Sequence, residues 1–108
     1  MKNISAKEFE KILSIEGENS TMDFIDVCSS REYEQHHIKG VRSIPLDELV
    51  NHLDEFKGKQ KIYIHCFSGS RSLYAISLLK SHGISAELIN VDGGIIAWHN
   101  AGLPLISQ

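Results

Sequence analysis

Cysteine, tryptophan and long apolar runs are all scarce in this chain: 108 residues hold two Cys and one Trp. Two cysteines cannot build a disulfide framework, and in a reducing compartment Cys28 and Cys66 are expected as free thiols. No zinc-type ligand spacing appears, so His36, His37, His65, His82 and His99 are expected in surface or capping roles and no metal is expected. No apolar stretch approaches the ~18 residues of a membrane span. The charged, periodic start "MKNISAKEFEKIL" lacks the apolar core of a signal peptide, so a cytoplasmic location is expected. Charge of one sign is also missing: 11 Lys and Arg stand against 14 Asp and Glu, a net charge of -3. With the basic residues scattered, neither nucleic acid nor membrane is expected as a partner. Repeats, low-complexity segments and linker tracts are absent, and residues 1–108 read as one domain of ordinary globular composition.

What is present alternates between helical and strand patterns. Ser5 and Glu8 form a capping box ahead of Phe9, Ile12 and Leu13, which predicts a helix over residues 6–14. "DFIDV" predicts a buried strand over 23–27, and Ser29 with Glu32 caps a short helix over 31–36. "VRSIPL" supplies a short strand, and Asp47 is expected to cap a helix through Leu53. "KIYIH", apolar without alternation, predicts a central strand over 61–65 buried on both faces. An amphipathic helix follows from Ser70 or Arg71 to Ser81, then the strand "SAELINV" and a short final helix within "DGGIIAWHNAGLP". Ile95, Ile96 and Trp98 are read as core. Strands alternating with helices predict an α/β domain with a mostly parallel sheet covered on both faces. In such sheets ligands bind beyond the carboxyl ends of strands, where Cys66 lies.

The chemistry concentrates in "HCFSGSRS". Phe67, Ser68, Gly69, Ser70, Arg71 and Ser72 offer successive backbone N–H groups able to curl around the Cys66 sulfur, with Gly69 allowing the turn. A helix N-terminus contributes further donors, and Arg71 a permanent forked cation. These features favour a thiolate, the form that attacks or carries sulfur. Local physics leaves sulfur and phosphate both open as the target.

Three segments then resemble the rhodanese domain family in its single-domain form, over nearly the whole chain. "CFSGSRS" is similar to its active-site loop. "DVCSSREYEQHHIKGVRSIPL" resembles its first signature, and "DGGIIAWHNAGLP" its C-terminal one. The resemblance implies a five-stranded, mostly parallel sheet with helices on both faces. It implies a thiosulfate sulfurtransferase in which Cys66 takes a sulfane sulfur from thiosulfate, a persulfide or a polysulfide. The Cys66 persulfide then passes the sulfur to cyanide, a thiol or a protein acceptor. Residues 67–72 would bind the anionic donor, and no cofactor is needed.

His65-Cys66 and Arg71 also resemble the loops of protein tyrosine and dual-specificity phosphatases, but those hold five residues between Cys and Arg and this chain has four, which favours sulfur over phosphatase or arsenate chemistry. A non-catalytic rhodanese-like interaction or regulatory module is the other reading; retention of both Cys66 and Arg71 weighs against it. Cys28 departs from the family's usual Asp-Val-Arg. It is either a second thiol that receives sulfur or forms a disulfide, or a structural replacement that forfeits the family arginine's ion pair with Glu32. Asp26 and Glu32 are assigned turn and capping roles rather than acid–base catalysis.

Overall fold

In a computed structural model, residues 2–108 are described. The chain runs β1 (Lys2–Ile4), α1 (Ala6–Glu16), β2 (Met22–Asp26), α2 (Ser30–Gln35) and β3 (Arg42–Ser43). A 3-10 helix (Leu46–His52) leads into α3 (Leu53–Phe56), β4 (Lys61–His65), α4 (Ser70–Ser81), β5 (Glu87–Val91) and α5 (Gly94–Asn100). The strands form one sheet in the order β1-β5-β4-β2-β3, and every pairing is parallel. β4 is central, and its His65 pairs in register with Asp26 of β2.

Successive strand residues face opposite sides of a sheet, which here divides the interior into two cores. Ile25, Ile62, Ile64 and Leu88 pack on one face with Leu49, Phe56, Ile76 and Leu79. Phe24, Tyr63 and Ile89 pack on the other with Phe9, Ile95 and Trp98. Phe9, Phe56 and Leu79 are all at most 1% exposed, each contributing roughly 1.5–3 kcal/mol through burial. Phe9 sits at the hub of an aromatic group, within 6.2 Å of the rings of Phe24, Tyr63, His65 and Trp98.

Both capping boxes form, Ser5 with Glu8 and Ser29 with Glu32, so α1 and α2 begin where local side-chain chemistry places them. Two expectations change, and one strand, β1, appears that the sequence did not suggest. Asp47 caps nothing: it lies inside the 3-10 segment, whose preceding residue is Pro45 and which has no side-chain cap. Proline's fixed φ starts that turn without a capping carboxylate. β1 carries too few residues for a period to show, and it enters the sheet only by pairing with β5. Ile96 is 42% exposed rather than core, whereas Ile95 and Trp98 are buried. None of the helices among the described residues is long and apolar enough to cross a membrane.

Candidate active site

Cys66 follows the last residue of β4, the central strand, and is 0% exposed. Its Sγ receives the backbone N–H of Gly69 at 3.1 Å. That contact needs a backward turn, and Gly69 makes it at φ +119°, a left-handed conformation that favours glycine. Gly69 is also the N-cap of α4 and has no side chain to offer that helix's first amides. Those amides and the helix's partial positive charge therefore point toward the loop.

Beneath the sulfur runs a chain of buried polar groups. Cys66 Sγ lies 3.6 Å from Ser72 Oγ, within reach of a thiol-to-hydroxyl hydrogen bond. The Ser72 hydroxyl has two acceptors for its one proton, Asn90 Oδ1 at 2.7 Å and the Gly69 carbonyl at 3.1 Å. Asn90 Nδ2 donates to Asn3 Oδ1 at 2.9 Å. β4, β5 and β1 are thereby linked to the sulfur, and Ser72 can turn its proton or its lone pair toward it.

The loop is fixed from above by α5. Ile95 N–H donates to the Cys66 carbonyl at 3.0 Å, and Ile96 N–H to the Phe67 carbonyl at 3.1 Å. So close an approach leaves no room at Gly94, where an added Cβ would lie 2.2 Å from the Cys66 carbonyl oxygen. His65 Nδ1 is a second partner of that carbonyl at 3.1 Å and, facing an oxygen that only accepts, carries the proton. Its Nε2 lies 3.9 Å from Asp26 Oδ2, and neither atom has a hydrogen-bond partner among the described residues. Burial pushes His65 down, against an opposing pull from Asp26.

Arg71, the second residue of α4, makes a bidentate pair with Glu32: Nη1 to Oε1 at 2.6 Å and Nη2 to Oε2 at 2.9 Å. The pairing holds the Glu32 carboxyl down to about 2, chiefly through the Arg71 hydrogen bond, and raises Arg71 further. Cys28 lies in the same core as Cys66, at the end of the adjacent strand, and both thiols are free. Burial first, then the Asp26 charge, pushes the Cys28 thiol up. Asp26 Oδ1 also accepts the Cys28 N–H at 2.8 Å.

Cys66, Gly69 and Ser72 thus converge, while Phe67, Ser68 and Ser70 lie on the exposed lip of the loop. Two clefts flank this lip. One of about 670 Å³ is lined by Arg71 and Tyr74, and one of about 430 Å³ by Phe67 and Ile96. Glu32 and Asp26 hold the capping and turn positions assigned to them. His65 and His37, at 0% and 4% exposure, are buried instead of superficial. Ring stacking on Tyr33 and a bond between Nδ1 and the Tyr33 carbonyl account for His37. Sequence reasoning passed over Asn90, which reads as one polar residue in an apolar strand. The α5 amides were passed over as well, although the Gly93-Gly94 pair was their visible sign.

A parallel α/β sheet with a cysteine sealed at the end of its central strand, under a glycine-led helix start, defines the class as a cysteine-loop α/β domain. The chain belongs to the rhodanese-like domain family, whose model matches residues 5–101. It is 30% identical over 83 residues to a protein of Allochromatium vinosum named a sulfurtransferase, covering 77% of each chain. Against YrkF of Bacillus subtilis (strain 168) it is 38% identical over 80 residues, covering 74% of this chain. The chain spans less than half the length of that relative, 43% of it. The crystal structure of a rhodanese-like domain protein from Staphylococcus aureus superposes with a TM-score of 0.80 at 30% identity, covering 100% of this chain and 99% of that one.

Proposed function

We propose that this chain is a sulfurtransferase that works through a persulfide on Cys66. The observation that carries the reading is the Gly69 N–H directed at a sealed Cys66 Sγ at the foot of α4. A preset amide and a helix N-terminus stabilise negative charge on sulfur without reorganising when that charge appears. The Cys66 thiolate attacks the outer sulfur of a sulfane donor, either thiosulfate or an organic persulfide or polysulfide. The donor's S–S bond breaks, and its electron pair leaves with sulfite or a thiolate. An acceptor thiolate or cyanide then attacks the outer sulfur of the Cys66 persulfide, and the Cys66 thiolate departs. Covalent catalysis of this kind needs a nucleophile that is also a good leaving group, which cysteine is. The name of the Allochromatium relative supports the same reaction class.

The test is intact-mass measurement after incubation with thiosulfate and, separately, with an organic persulfide. A gain of one sulfur atom that maps to Cys66 and is released by cyanide as thiocyanate is the expected result. Failure of every sulfane donor to load Cys66 would sink the reading.

A further inference from the structure

The cation expected to receive an anionic donor is already engaged. Arg71 donates to both carboxylate oxygens of Glu32, the geometry in which guanidinium and carboxylate bind most selectively. Glu32 is in turn held where it is: its Oε1 accepts the Ser29 N–H at 2.9 Å, as the far half of the α2 capping box. Its carboxyl, held down to about 2, stays ionised throughout the neutral range. The adjacent strand end offers no rival cation, because position 28 carries a neutral thiol. Asp47 and Glu48 share the cleft beside Arg71, so the surroundings of the pair are acidic. On the other side of the lip the smaller cleft is mostly apolar: Phe67 and Ile96, 41% and 42% exposed, border it with Ile95 and Leu105, and His36, His99 and Asn100 complete its lining without an obligate cation.

We propose that Glu32 is a specificity-determining residue: by holding Arg71 it turns the Cys66 loop away from dianionic inorganic donors such as thiosulfate and toward organic persulfides. This rests on the sulfur-transfer reading and names its donor class. A dianion must displace a carboxylate from Arg71 before that cation can bind it, and it meets acidic side chains on the way. An organic persulfide, RSSH, has no such requirement, and its carbon body fits the Phe67–Ile96 surface. In the loading step the Cys66 thiolate attacks the terminal sulfur of RSSH and the S–S bond breaks. RS⁻ leaves with the electron pair and Cys66 becomes the persulfide; no external oxidant or reductant enters.

The test compares second-order rate constants for loading Cys66 with thiosulfate and with benzyl persulfide, each generated at known concentration, in wild type and Glu32→Gln. Glutamine suits the same capping box, so α2 retains its start. The expected result is a thiosulfate rate raised about tenfold, equivalent to about 1.4 kcal/mol, while the benzyl persulfide rate changes less than about threefold. The double variant Glu32→Gln/Arg71→Ala should lose the thiosulfate gain, because the gain requires the freed guanidinium. An unchanged donor ratio in Glu32→Gln, or a gain that survives loss of Arg71, overturns the specificity role and leaves sulfur transfer standing. Absence of any Cys66 persulfide with either donor, in every variant, overturns both readings together.

Discussion

Cys66 and Cys28 occupy neighbouring places, one and two residues beyond the carboxyl ends of two paired strands, and each is 2% exposed or less. Their surroundings nevertheless differ in sign. Cys66 has an amide hydrogen on its sulfur and a helix start above it. Cys28 has a carboxylate beside it and a raised thiol. Position at a strand end therefore selects where chemistry can happen, and the next few residues decide whether it does. After Cys66 the chain turns through Gly69 into a helix of 12 residues, whereas after Cys28 Ser29 caps a helix of six with its own side chain. Replacing the two thiols separately makes this the largest contrast. Cys66→Ser should reduce sulfur loading to background. Cys28→Ser should keep loading within about threefold of wild type, the small effect typical of substitutions outside the reacting group. Equal losses in the two variants, read by persulfide mass mapping, would mean that both thiols take part in loading.

Glycines sharpen the comparison from the backbone side. Gly94 at φ +54° lies against the Cys66 carbonyl, and an added Cβ would also come within 2.8 Å of the Phe67 carbonyl oxygen. Gly58 has a similar positive φ of +83°, but an added Cβ there would meet nothing within 4 Å. Gly58→Ala should therefore cost only the left-handed strain, about 1–2 kcal/mol. Gly94→Ala must in addition push α5 off the loop, and is expected to cost on the order of 3 kcal/mol or more. It should slow sulfur loading as well, since the amides of Ile95 and Ile96 would lose their carbonyls. Urea denaturation of both variants checks the difference. Equal midpoints would show that α5 does not clamp the loop.

The legible parts of the molecule were those with local causes. The capping boxes at Ser5 and Ser29, the buried run 61–65 and the helix from Ser70 each follow from a few adjacent residues, and the structure forms all of them. The parallel sheet was legible because strand and helix patterns alternate along the chain, and the family through the resemblance of three segments; the strand order β1-β5-β4-β2-β3 was not legible. Less legible were contacts made across distance. β1 is a strand only because β5 lies beside it. His65 ends a run read as buried yet was assigned a surface or capping role as a histidine; in the structure it packs near Phe9 of α1 and Asp26 of β2. The Arg71 partner was hidden in another way. An arginine in an anion-binding loop reads as a ligand for substrate, and Glu32, 39 residues earlier, was accounted for by its cap. It makes both contacts at once, since Oε1 faces Ser29 and Arg71 together.

Removing charge near the second thiol tests why the two cysteines diverge. In an Asp26→Asn variant, made with Cys66→Ser so that one thiol remains, the amide oxygen can still accept the Cys28 N–H. The negative charge that disfavours the Cys28 thiolate is gone. Burial, the larger cause, remains. The alkylation profile of Cys28 against pH should therefore move down, while staying above that of an ordinary cysteine. A profile that does not move would leave the effect to burial and the Glu32 charge, and Asp26 with only its turn-forming role.

The smallest expected effect lies at the Glu32–Arg71 pair, where stability and specificity separate. A carboxyl lowered in the folded state stabilises above its unfolded value of about 4.3. That contribution is lost as pH falls toward the folded value of about 2. Wild type should thus exceed Glu32→Gln in stability at pH 5 to 7, and the gap should close progressively between pH 4 and pH 2. Its size is modest, because the two side chains are 34% and 37% exposed and solvent screens them. Below about 1 kcal/mol is the expectation for such a pair. Urea midpoints of both proteins at pH 3, 5 and 7 measure it. A gap of several kcal/mol that persists at pH 3 would mean that Glu32 supports the fold through something other than its charge. A small gap that closes with acid, beside a large change in donor ratio at neutral pH, would place the carboxylate's main effect on what Arg71 is free to bind.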